Sequence, residues 1–374
     1  MKIGKVSTNV LKRSVLRQIN TRREEVVNGA GIGGDCAIFS FPGETMTVTC
    51  VQEASLWISK AAFPGHKAGE REPQLMPVEA KAETAVQDAA VWKRTNEEPS
   101  AEQRTITQLI QKCANNLAAR GAEPVSVLIT LLLPESLEEP DLKELMEEAE
   151  RICGSLHIQI AGGQTRVTGA VMTPYGVVTG IGKILAGTFR SLKSAAPGQD
   201  VVISKWIGLE GTAILAKQYR GRLLERYPVW LVEEAAGFDR LLSVIPEAAT
   251  AVKSGVCAMH DVSEGGIFGA LWELAEGSGV GLTIDLKKLP LRQETVEVCE
   301  CCNVNPYELL SGGCLLMTSG DGSGLVSALK AEGVPAVIVG KVTDSKDRIL
   351  VNEDEVRYLD RPKNDELYRV VETR

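Results

Sequence analysis

His260-Asp261-Val262-Ser263-Glu264-Gly265-Gly266-Ile267-Phe268-Gly269-Ala270-Leu271-Trp272-Glu273 is the stretch that decides the reading of this chain. Just before it, Ser254 to Met259 reads as a turn followed by a short buried strand. After the two glycines, Ile267, Ala270, Leu271 and Leu274 recur at helical spacing, so Gly265 and Gly266 open a helix. The free backbone N–H groups of such a start, together with the helix dipole, favour an anion. A strand, an acidic turn and a glycine-opened helix thus predict a phosphate-handling edge.

Outward from this point the second half alternates strands and helices. Val201–Ile203, Leu282–Leu286 and Ala336–Val342 read as strands, and Asp239–Lys253, Gly266–Glu276 and Gly324–Ala331 as helices. That is an α/β layout. In the first half, Val6 to Asn20 reads as an opening helix, and Cys36–Phe41 with Met46–Val51 as a β-hairpin around Pro42-Gly43. Thr105–Arg120 and Leu137–Cys153 read as helices, Val125–Leu133 as a strand, and Thr165–Leu185 as two strands around Pro174-Tyr175-Gly176. Pro197-Gly198-Gln199-Asp200 punctuates the chain. The expected division is a first domain over 1–185, a second over 197–345 and an extension over 346–374. Residues 61–104 are rich in Glu, Lys, Ala and Pro and read as a solvated insertion.

Composition sets the bounds. A chain of 374 residues has room for two cores. Its net charge of −8, with no basic runs, gives no electrostatic reason to expect nucleic acid. No apolar stretch approaches the roughly 20 residues of a membrane helix, and no signal-peptide core follows Met1, so a cytoplasmic location is expected. Nine cysteines lack paired extracellular spacing. The cluster Cys299-Glu300-Cys301-Cys302 has no second pair at a distance to complete a zinc site, and reads as small apolar residues on a helix.

The quoted stretch resembles the pattern His-Asp-x-(Ser/Thr)-x-Gly-Gly-(helix)-x-Glu of the aminoimidazole ribonucleotide (AIR) synthase, or PurM-like, superfamily. Ser204–Ala213, Leu309–Leu316 and Val339–Val342 resemble its hydrogenase-maturation, HypE-like branch, and they fall in the expected order. The resemblance implies a two-domain α/β (α+β) fold, with an N-terminal sheet domain that forms a barrel in a homodimer and a C-terminal α/β domain. It further implies ATP and magnesium, and activation of an amide or carbonyl oxygen by phosphorylation ahead of dehydration or substitution. A protein partner in maturation is implied as well. Two other readings stay open: a nucleotide-weak dimeric scaffold, and a small-molecule kinase or synthetase.

Site residues follow by resemblance, position by position. Gly29–Gly34 matches a dinucleotide fingerprint by letter, but a strand-like segment follows it where a helix is required, so that reading falls. Gly31, Gly33 and Asp35 instead resemble a Gly-x-Gly-Asp-Asp-x-Ala segment for nucleotide and metal, with Gly34 replacing one acid; a plain strand-starting turn is the rival reading. Asn115 and Asn116 resemble Asn-Asp, and Cys50 stands where a metal-binding Asp is expected. Gly162, Gly163 and Arg166 resemble Gly-Gly-His-Thr-Glu, with Gln164 for His and Arg166 for Glu. His260, Asp261 and Glu273 are the implied catalytic group; Lys205, Gly265 and Gly266 are candidate phosphate contacts, with a solvated lysine as the rival reading of Lys205. Magnesium requires oxygen ligands and carboxylates offset its charge, so the losses at Gly34, Cys50 and Asn116 predict reduced magnesium dependence. Arg166 could contact phosphate directly, or mark a site without nucleotide. The last cysteine is Cys314, far from Arg374, so dehydration of a thiocarboxamide on a cysteine of the chain's own tail is not expected unless a partner supplies the thiol.

Overall fold

The computed structural model of the protein describes residues 3–31, 36–56, 103–188, 194–361 and 364–372. Apart from Gln103 and Arg104, the expected insertion over 61–104 lies outside the described residues, as do Gly33 and Asp35.

Two sheets carry the fold. The first has six strands, β1 (Gly4–Lys5), β4 (Thr45–Leu56), β5 (Gln103–Arg104), β6 (Glu123–Leu133), β7 (Gln159–Val167) and β8 (Tyr175–Leu185), in the order β1-β7-β6-β8-β4-β5. A separate pair, β2 (Val26–Asn28) and β3 (Ile38–Phe39), lies beside it. Two helices, α1 (Ile106–Ala118) and α2 (Glu139–Ser155), cover one face. Along β6, Val127, Ile129, Leu131 and Leu133 point to that face and are buried, while Leu128, Thr130 and Leu132 on the other face are only half-buried. Helix α1 starts at Thr105, whose hydroxyl accepts from the Gln108 amide at 3.2 Å while the Gln108 side chain accepts from the Thr105 amide at 2.9 Å. This reciprocal cap satisfies two otherwise orphan donors.

Gly163 fixes the parallel pairing of β6 and β7. Its φ is +139°, and a Cβ there would lie 1.8 Å from the Ile129 carbonyl oxygen, so only glycine fits.

The second sheet has seven strands, in the order β10-β12-β9-β13-β11-β14-β15. They are β9 (Asp200–Ser204), β10 (Ala258–Val262), β11 (Gly281–Asp285), β12 (Cys314–Ser319), β13 (Ala336–Thr343), β14 (Arg348–Asn352) and β15 (Glu355–Tyr358). All its pairings are antiparallel except β11 with β14. Around it lie α3 (Leu209–Gln218), α4 (Arg220–Leu224), α5 (Val229–Ala236), α6 (Ile245–Lys253), α7 (Gly266–Ser278), α8 (Gln293–Cys302), α9 (Gly322–Ala331) and α10 (Glu366–Glu372). The stretch after residue 345 therefore supplies two strands of this sheet and a helix.

Three local expectations need correction. The hairpin of Cys36–Phe41 with Met46–Val51 does not form: β3 pairs with β2, and β4 pairs along its length with β8, Thr45 opposite Leu185. Residues Val6 to Asn20 are not one α-helix but a helical turn, Thr8–Val10, running into a π turn, Leu11–Val15, and a 3-10 turn, Leu16–Gln18. The helix expected over Asp239–Lys253 begins only at Ile245, where Pro246 suits a first turn but not an interior.

Asn115 ties the halves together. Its side chain donates to the Leu242 carbonyl at 2.7 Å and accepts from the Val244 amide at 3.0 Å, with Gln111 donating to the same oxygen at 2.9 Å. All of this is buried, between α1 of the first half and the turn before α6 of the second.

Candidate functional site

Where α1 and β4 face β10, a cleft of about 360 Å³ opens between the two sheets. Its walls include Cys50, Asn116, Arg120, His260 and Asp261. The fold brings Asn116 and Arg120 there because α1 ends against the second half, and Asp261 and His260 because β10 is that sheet's edge strand.

Asp261 is 4% exposed, and its Oδ1 has no hydrogen-bond partner among the described residues. Burial pushes its carboxyl up to about 8, partly countered by Lys112 and reinforced by Glu210. At neutral pH it is therefore largely a neutral acid, able to donate a hydrogen bond. His260, its neighbour on the strand, points the other way, and its Nε2 lies 2.7 Å from Glu273 Oε2 on α7. The implied catalytic group thus divides into a histidine–glutamate pair and a separate buried acid.

Arg120 is not among the site residues that the sequence points to. It is half-buried, its side chain makes no hydrogen bond or ion pair among the described residues, and its Nη1 is buried without a partner. Burial pushes its pKa down, while Asp261 opposes that shift. Asn116 is also half-buried and its carboxamide is free among the described residues. Asn115 differs: its side-chain nitrogen and oxygen are both engaged across the halves, with Leu242 and Val244.

Beside this cleft a second hollow of about 250 Å³ is bordered by Lys112, Glu210, Glu264 and Tyr368. Lys112 reaches Glu264 at 3.5 Å. Glu210 is buried under Gly312, where any Cβ would lie 2.1 Å from the Glu210 carboxylate. The Ser311-Gly312-Gly313 run therefore serves close packing, and the Ser311 hydroxyl accepts from the Gly208 amide at 2.8 Å.

Other expected contacts lie elsewhere. The Lys205 ammonium is neither solvated nor free: it donates to the carbonyls of Leu241 at 2.8 Å and Ser243 at 2.5 Å and pairs with buried Glu247 at 2.7 Å. At the start of α7 the Gly265 amide is taken by Asp365 Oδ2 at 2.7 Å. The other oxygen of Asp365 accepts from Leu310 at 3.2 Å and Leu367 at 2.8 Å. The anion expected at this glycine turn is the chain's own carboxylate, one hundred residues downstream. Gly31, Gly162 and Gly163 border a different cavity of about 250 Å³ in the first half. Arg166 is exposed on β7 opposite Leu132, on the sheet face away from α1 and α2.

Magnesium does not fit the described residues. No group of three His, Cys, Asp or Glu among them is placed to hold a metal ion. The Cys50 thiol donates to the Cys113 carbonyl at 3.3 Å, Asn116 supplies no charge, and Asp261 is held neutral by burial. The Cys299–Cys302 cluster forms no metal group either: Cys299 and Cys301 are buried, and burial pushes Cys302 up to about 11.

The AIR synthase related C-terminal domain matches residues 196–352, and the AIR synthase related N-terminal domain matches residues 87–184. The chain belongs to the AIR synthase related family. Among relatives, carbamoyl dehydratase HypE of Rhodobacter capsulatus is 29% identical over 233 residues, 61% of this chain and 66% of that protein. A putative hydrogenase expression/formation protein of Methanocaldococcus jannaschii is 26% identical over 262 residues, covering 68% of this chain and 76% of that protein. The Rhodobacter match thus spans just under two thirds of that relative's length. A crystal structure of the hydrogenase maturation protein HypE in complex with ATP superposes with a TM-score of 0.70 at 17% identity, over 97% of this chain and 96% of that one. A HypE–HypF complex structure matches with a TM-score of 0.60 at 24% identity, over 69% of this chain and 84% of that one. At these identities the structures establish the two-domain PurM-like fold. No helix among the described residues is long and apolar enough to cross a membrane.

Proposed function

We propose that this HypE-like protein uses ATP to activate an amide oxygen for dehydration, within the maturation of a partner protein. The observation that carries this reading is the interdomain cleft, where Asp261, Asn116 and Arg120 converge with free polar atoms on a scaffold shared with carbamoyl dehydratases. ATP, when bound, supplies the phosphoryl group that turns the amide oxygen into a leaving group. The chain's own residues then act by position and charge. Arg120 and Asn116 offer donors to phosphate oxygens, and neutral Asp261 offers another. The His260–Glu273 pair at the cleft edge takes up in turn the two protons that the amide nitrogen gives up, one on phosphorylation and one on elimination, and passes each to solvent. We assign the thiol or amide acceptor to a protein partner; Cys314 is fully buried within β12. The protein works as a homodimer joined through the face of the six-stranded sheet opposite α1 and α2.

The test is release of phosphate from ATP with and without a carboxamide-bearing partner protein. Release that needs both supports the reading. The poor fit to magnesium favours one alternative, a dimeric scaffold without catalysis. Calorimetry showing no ATP binding under any condition would decide for the scaffold.

A further inference from the structure

We infer that Arg120 is the built-in cation of the interdomain cleft: with Asn116 and Asp261 it forms a receptor for polyphosphate oxygens that needs no divalent metal. This inference rests on the nucleotide reading above and assigns the groups that hold the phosphates.

Two polar atoms in one cleft, Arg120 Nη1 and Asp261 Oδ1, are buried without partners among the described residues. An unsatisfied buried polar atom costs about 1–3 kcal/mol, so a pair of them in one cavity marks a place where something else completes the bonding. They do not complete each other, for they form no ion pair among the described residues. An arginine after a helix C-terminus has a plain alternative role, offsetting the helix dipole from solvent. A buried, unpartnered nitrogen on a side chain that lines the cleft does not suit that role.

The ligand follows from the donor set. A guanidinium fork, a carboxamide and a protonated carboxyl all present N–H or O–H donors, which matches an anion with several oxygens. The cleft, at about 360 Å³, is within the size range of small-molecule sites. The other cations nearby are engaged: Lys205 with Glu247 and two carbonyls, Lys112 with Glu264. Arg120 therefore stands where metal-binding acids give way to Cys50 and Asn116, and a fixed positive charge takes over the neutralising role.

The experiment is calorimetric titration of the full chain with ATP and with inorganic tripolyphosphate, each in excess EDTA and in excess magnesium. Both ligands should bind the unmodified protein in EDTA. Arg120→Gln should weaken that binding roughly tenfold or more, the loss expected for a charge-assisted hydrogen bond, and Arg120→Lys should recover part of it. Arg226→Gln, an exposed charge remote from the cleft, controls for net charge. The double change Cys50→Asp with Asn116→Asp should convert binding to a magnesium-requiring form, a gain that mere destabilisation cannot produce. Binding of the unmodified protein only in magnesium would overturn the Arg120 inference and leave the nucleotide reading standing. Unchanged binding by a folded Arg120→Gln would overturn it as well. Failure of both ligands to bind in either buffer would remove the two together.

Discussion

Asp261 shows how strongly one position can link stability to pH. Its folded-state value of about 8 lies well above the usual carboxylate range, because burial disfavours the charged form. The folded protein therefore holds a proton that the unfolded chain releases between about pH 4 and pH 8, and stability falls as pH rises through that window. Asp261→Asn should flatten the fall and be more stable than the unmodified protein at pH 8.5, by on the order of a few kcal/mol. Urea unfolding at pH 5 and 8.5 measures this, and equal pH slopes for the two proteins would contradict it. Asn115 makes a second case at this scale. Asn115→Ala leaves the Leu242 carbonyl and Val244 amide buried without partners, and should cost about 2–4 kcal/mol in the same assay. The sequence exposed His260, Asp261 and Glu273 because one short motif holds them all. It concealed Arg120, a lone arginine at the end of a helix with no local signal to mark it. Asp365 carried no local signal at all, since its partner is one hundred residues away.

At the scale of elements, local physics was legible and long-range pairing was not. Helices α1, α2, α7 and α9 follow from apolar periodicity. The hairpin around Pro42-Gly43 failed because β4 finds its partner in β8, and no turn signal encodes a pairing across so much chain. The glycine-opened start of α7 reads as a phosphate site in the sequence; in the structure the Gly265 amide is taken by Asp365, from the segment leading into α10. That segment is held by one carboxylate accepting from three backbone amides, at Gly265, Leu310 and Leu367. Asp365→Ala should therefore loosen α10 and cost about 3 kcal/mol or more. Hydrogen exchange should speed selectively at Gly265, Leu310 and Leu367. Unaltered protection at those amides would mean that the carboxylate does not anchor the helix.

For the whole molecule, the decisive feature is the six-stranded sheet, which among the described residues carries helices α1 and α2 on one face and none on the other. A sheet needs a second layer over each apolar face, and α1 and α2 provide it on the side of Val127, Ile129, Leu131 and Val178. On the opposite face Leu128, Leu132 and Val177 are half-buried and Val51 is exposed, with Leu185 exposed at the end of β8. Register places these side chains together: Leu128 lies opposite Thr179, Leu132 opposite Tyr175, and Val51 opposite Thr179 across β8. A second copy laying the same face against this one would bury all of them with two-fold symmetry. Each large apolar side chain so covered contributes about 1.5–3 kcal/mol when fully buried. Leu132→Glu puts a charge on that face without touching the core on the other side, because strand neighbours alternate. The unmodified protein should therefore scatter light as a dimer at micromolar concentration, and Leu132→Glu as a folded monomer with an unchanged circular dichroism spectrum. A monomeric unmodified protein would refute the shared-sheet dimer, while a dimer that survives Leu132→Glu would move the contact to another surface.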